Sequence, residues 1–190
     1  MNRRLAVKNL SLLVGAATLL PACLSQTKSD QAATVSLKHV AVSAPEEQLL
    51  AEVCETLIPK TDTPGAKDLG LHRYVLKMLD DCTPAKEQQL FLAGLRQLEE
   101  TCQQQMGQAF GEGTAPQRLA LLQRIDQQPQ QFSKEVVGFY RSARQLTIDG
   151  YTGSKYFMTK QVVYELVPGR YNGYFPVSNL RVAKPSHGQS

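Results

Sequence analysis

Histidine and cysteine are scarce in this 190-residue chain, three and four respectively, and their placement excludes several kinds of chemistry. His39, His72 and His187 lie far apart, and neither H-E-x-x-H nor a clustered Cys/His motif occurs, so no recognisable zinc site is encoded. Cys23, Cys54, Cys82 and Cys102 form neither C-x-x-C nor C-x-x-C-H, which leaves out a redox dithiol and an attached c-type haem. A P-loop and a G-x-S-x-G elbow are missing as well. The stretch from Gly111 to Pro116 lacks the third glycine and the preceding strand of a dinucleotide fingerprint. On its own residues the chain does not read as an enzyme.

A long apolar run is also absent. Leu10 to Leu20 is too short to cross a bilayer, which takes about 20 residues, and it is diluted by Ser11, Gly15 and Thr18. It suits instead the core of an export signal, with Arg3, Arg4 and Lys8 as the cationic region before it. Leu20-Pro21-Ala22-Cys23 has the form of a lipobox, making Cys23 the expected lipid acceptor and the first residue of a mature, membrane-anchored periplasmic lipoprotein. Asn2-Arg3-Arg4-Leu5-Ala6-Val7-Lys8 looks like a twin-arginine signal, the type used for cargo exported already folded. Removing residues 1–22 takes away three cations and no acid, lowering the formal charge from +4 to +1. No basic surplus then remains to neutralise a phosphate backbone, which argues against nucleic-acid binding.

What is present is helical spacing. Residues 23–42, rich in Ser, Thr, Gln, Ala and Lys, read as a flexible tether. Ser43-Ala44-Pro45-Glu46 has the form of a capping box, followed by Leu49, Leu50, Val53 and Leu57 at helical intervals up to Pro59. A second helix is expected from near Thr63 to Asp81 on Leu71, Val75, Leu76, Met78 and Leu79. A long third runs from Thr83-Pro84 to Gly107 on Phe91, Leu95, Leu98 and Cys102. Leu119, Leu122 and Ile125 predict a short fourth, and Phe132, Val136, Phe139, Tyr140 and Ala143 a last one ending near Gly150. The expected fold is therefore all-α, an irregular bundle of about five helices over residues 43–150. Residues 151–190, rich in Gly, Pro and Tyr, read as an extended C-terminal arm, laid over a partner or packed back on the bundle. With Cys23 lipidated, Cys54, Cys82 and Cys102 allow at most one disulfide, in any of three pairings, or remain buried thiols.

The densest local signal is Ile58 to His72, in which Pro59 and Pro64 fix φ, Asp62 or Thr63 offers a cap, and Gly65 permits close backbone approach. Asp62 and His72 are a conceivable acid–base pair. Without a serine or cysteine nucleophile in a recognisable setting, such a pair reads as a structural hydrogen bond.

Thr56-Leu57-Ile58-Pro59, Thr61 to Ala66 and Gly70-Leu71-His72 resemble the gluconate 2-dehydrogenase subunit 3 family. A second patch, Asp149 to Ser154 followed by Val167-Pro168-Gly169-Arg170-Tyr171-Asn172-Gly173, is similar to the family's C-terminal region, although Tyr174 stands where the family often has a cysteine. The resemblance implies a non-catalytic small subunit without a cofactor of its own. Its partner would be an FAD-dependent sugar or alcohol dehydrogenase large subunit, often accompanied by a multihaem cytochrome c, and its role the maturation and export of that flavoprotein. Pro59, Asp62, Thr63, Pro64, Gly65, His72, Tyr151, Pro168, Gly169, Tyr171 and Tyr174 are the expected partner contacts. The alternative is a free-standing lipoprotein with a binding or envelope-structural role.

Overall fold

The computed structural model describes residues 33–162 and Tyr174. Within them lie five α-helices: α1 (Ala44–Leu57), α2 (Leu71–Cys82), α3 (Ala85–Met106), α4 (Ala115–Gln127) and α5 (Lys134–Thr152). Short 3-10 turns precede α4 and α5, a π turn over Phe157–Gln161 follows, and no β-strand occurs among the described residues. The all-α bundle expected from the apolar spacing is what forms. Among the described residues no helix is long and apolar enough to cross a membrane.

Local chemistry sets the helix starts. Glu46 accepts hydrogen bonds from the Ser43 backbone N–H (2.8 Å) and hydroxyl (2.9 Å), and Gln117 does the same for Thr114 at the start of α4, so both boxes stop the first turn fraying. α5 opens on Ser133, whose Oγ accepts from the Val136 N–H. At the far end of α2 the Gln88 side-chain amide faces the carbonyls of Leu79, Asp80 and Thr83 at 3.0–3.1 Å, satisfying acceptors the helix leaves over.

The core is one cluster in which α3 and α5 are the closest pair. Phe91 meets Phe139 edge-on with ring centroids 4.9 Å apart. Gly94 brings the α3 backbone against α5, where any Cβ would overlap the Glu135 carbonyl. Leu50, Val53, Val75, Leu76, Leu95, Leu98, Phe110 and Ile125 are fully buried around this seam. In α4 the inward residues are Leu121, Leu122 and Ile125, whereas Leu119, expected inside, is exposed.

Two expectations are corrected. The second helix begins at Leu71, not near Thr63: Gly70 takes φ +64° as its N-cap, and residues 58–70 form a compact turn instead. The tether expected over residues 23–42 is packed in its described part. Val42 is buried, Ala33, Val35, Leu37 and Val40 pack on the core, and the Ala33 N–H donates to the Val42 carbonyl (3.1 Å). At the other end, α5 continues through Tyr151 and Thr152, and Tyr151 packs on the core and edge-on to Phe157 of the π turn (5.5 Å).

Candidate functional site

The turn between α1 and α2 is held from within. The Glu55 carboxylate, on the last turn of α1, accepts backbone N–H bonds from Lys60 (3.0 Å) and Lys67 (2.8 Å). Ala66, fully buried, donates to the Ile58 carbonyl at 2.9 Å, and Thr61 N–H donates to the Thr63 carbonyl at 3.0 Å. Lys60 and Asp68 pair across the loop at 3.1 Å, and that ammonium holds the Asp68 carboxyl below its ordinary range. Gly65 is required here, because a Cβ would lie 2.6 Å from both the Glu55 carboxylate and the Lys60 nitrogen. Pro59 and Asp62 are thereby presented outward, Thr63 and Pro64 are half-buried, and Gly65 is buried. A stiff, outward-facing turn of this kind loses little entropy on meeting a partner.

His72, at the start of α2, does not pair with Asp62. Its Nε2 lies 3.7 Å from Glu47 Oε1, its Nδ1 is buried without a hydrogen-bond partner, and burial holds its pKa below the ordinary imidazole value despite the Glu47 charge. Glu47 itself is committed elsewhere, accepting the Thr34 N–H and hydroxyl at 2.6 Å each.

Three further carboxylates carry structure that the sequence reading missed. Asp80, its side chain wholly shielded, accepts the N–H groups of Lys38 (2.7 Å), His39 (2.7 Å) and Val40 (3.0 Å). Burial pushes the Asp80 carboxyl up, but these amides more than offset it, so the group sits below its usual range. Glu52 bridges Lys67 and Arg118, and Glu46 pairs with Arg96 at 2.6 Å. In both glutamates burial opposes ionisation and the partners outweigh it, leaving the pKa lowered. These partners are 15 to 66 positions away, apart from the local Ser43 cap, so no short motif announces them. His39, Asp80 and Asp81 bring one ligand atom each within 4.8 Å of one another. The Asp80 oxygens are already occupied by amides, which makes the trio a poor cation site.

Cys54, Cys82 and Cys102 are free thiols. Burial pushes Cys54 up to about 11 and Cys102 up to about 12, so both stay protonated and unreactive at neutral pH. Cys54 Sγ instead contacts Thr147 Oγ1 at 3.3 Å inside the α1–α5 packing. Of the other residues expected to act, Tyr151 is half-buried and Tyr174 is exposed, while Arg3, Arg4, Lys8, Cys23, Pro168, Gly169 and Tyr171 lie outside the described residues.

The class defined by these features is a small all-α domain whose polar groups brace its own turns and present a rigid loop. The chain belongs to the gluconate 2-dehydrogenase subunit 3 family, whose profile matches residues 44–169, from the first residue of α1 to beyond the π turn. No curated protein and no solved structure matches it. Membership in this family implies association with other subunits of a dehydrogenase complex.

Proposed function

We propose that this chain is the non-catalytic small subunit of a periplasmic flavoprotein dehydrogenase acting on a sugar or alcohol, and that it supports maturation and twin-arginine export of the FAD-bearing large subunit. The observation that carries the reading is the family match across the whole helical domain. Two features support it. The Ile58–His72 turn is braced by the Glu55 carboxylate and by the Lys60–Asp68 pair, and Arg3-Arg4 with Cys23 equips the chain for export and lipid anchoring. A cofactor-free chain has little need of a route for folded cargo unless the cargo that folds first is bound to it. In this scheme FAD enters the large subunit in the cytoplasm, the pair docks, and the leader of this chain carries both across. Electrons then leave through a multihaem cytochrome c where one is present.

The test is to express the tagged chain with the large flavoprotein encoded beside it. Flavin absorbance should co-purify with the tag, and replacing Arg3-Arg4 by Lys-Lys should hold the flavoprotein in the cytoplasm. A chain that is always recovered alone, as a flavin-free monomer, overturns the proposal in favour of a free-standing lipoprotein. Unchanged export of the flavoprotein with Lys-Lys overturns the hitch-hiking mechanism alone.

A further inference from the structure

A second surface, remote from the Ile58–His72 turn in sequence, lies where α3 and α5 run side by side. Their outer faces leave an open trough of about 440 Å³ lined by Glu87, Leu90, Phe91, Lys134, Gly138 and Phe139. Smaller hollows continue it towards Phe132 at one end and Leu146 at the other. From Lys134 to Leu146 the trough follows about three turns of α5, roughly 18 Å at 1.5 Å per residue.

Three local choices in this trough run against the chain's own stability. Leu90 is 48% exposed on α3, with Phe91 and Phe139 forming the floor beside it. Gly138 sits in the middle of α5, where glycine is a poor helix former, yet a Cβ there would meet nothing within 4 Å. Gly94 and Gly150 differ, since the packing of α3 on α5 and of Tyr74 on α5 leaves them no room for a side chain. Lys134 occupies the first turn of α5, the end at which a cation opposes the helix dipole. Concentrated on one face, such departures from local preference mark a surface shaped by something outside the chain.

The rim charges say what that is. Glu87 on the α3 bank and Lys134 and Arg141 on the α5 bank are exposed, and among the described residues none of the three has an ion-pair partner. We infer that the α3–α5 trough receives an amphipathic helix of the dehydrogenase large subunit. The helix turns its apolar stripe onto Leu90, Phe91 and Phe139, places a cation over Glu87, and sets carboxylates over Lys134 and Arg141. Gly138 is the point of closest approach, where the absence of a side chain lets the two backbones near each other. The inference rests on the small-subunit reading and adds a docking face that the turn and the C-terminal segment do not supply.

The experiment measures binding of the co-expressed flavoprotein by wild type, Gly138→Leu and Leu90→Glu, with the thermal midpoint and sedimentation mass of each full chain purified without the flavoprotein. Gly138→Leu is expected to raise the midpoint of the chain, because leucine is the better helix former, and to weaken flavoprotein binding at least tenfold. Leu90→Glu should leave the midpoint within error of wild type and weaken binding similarly. Wild-type affinity in both variants overturns the docking face while leaving the small-subunit reading intact. No flavoprotein binding by wild type overturns both. A wild-type homodimer that either variant dissociates assigns the trough to a second copy of this chain and overturns the inference.

Discussion

Glycine shows at single-residue scale how one amino acid answers different demands. At Gly94 the α3 backbone lies so close to α5 that a Cβ would overlap the Glu135 carbonyl and come within 2.5 Å of Phe139 Cβ. The neighbour is backbone, so it cannot swing aside. Gly94→Val is therefore expected to cost about 1–3 kcal/mol, the range for forcing extra volume into a packed seam. Urea unfolding followed by circular dichroism checks it, and an unchanged midpoint would mean that α3 and α5 slide apart without penalty. A sequence shows both Gly94 and Gly138 as helix-interior glycines. Only the packing separates the one that must be small from the one that has room.

The elements were legible in proportion to how far apolar spacing produces them. α1 and α3 follow their stripes and their Ser43 and Pro84 starts, and α5 follows the stripe that opens at Phe132, to within a residue or two. α2 was misjudged by eight residues, because Thr63-Pro64 imitates a helix start while the chain there is clamped by Glu55 into a turn. The packed segment before α1 was invisible for a related reason: its hold is carboxylate to amide, across 13 to 42 positions, and leaves no period. That hold is testable. Asp80→Ala removes the acceptor for three N–H groups at once and should make residues 33–42 the first site of limited proteolysis, with α2 to α5 still protected. Mass spectrometry of the earliest fragments measures it. Cleavage no faster than in wild type would show that the Thr34–Glu47 bonds and the apolar packing of Val35, Leu37 and Val40 hold the segment without Asp80. The partner contacts expected at the turn and the tail rest on the resemblance, and the structure places Pro59 and Asp62 at the surface, Thr63, Pro64 and His72 partly buried, and Gly65 buried.

For the whole molecule, the lowered carboxyls and His72 push stability in one direction as pH falls from neutrality. Glu46, Glu52 and Asp80 ionise more readily in the folded chain than in the unfolded one, where carboxyls titrate near 4. Between that value and the lower folded ones the unfolded chain binds more protons, so the stability these groups supply is complete above about 4 and is lost as pH falls through their folded pKa values. His72 acts earlier. Burial lowers its pKa, so from about 6.5 downward the unfolded chain takes the proton first and the folded state loses ground until the folded pKa is passed. The two effects add, which predicts a thermal midpoint that is highest on the neutral side, slips as pH drops below about 6.5 and falls steeply below about 4. His72→Phe, which keeps an aromatic ring and removes the proton site, should abolish the upper slope and leave the lower one. Scanning calorimetry of both proteins from pH 8 to 3 decides it. An upper slope that survives the substitution would place its origin in a group other than His72.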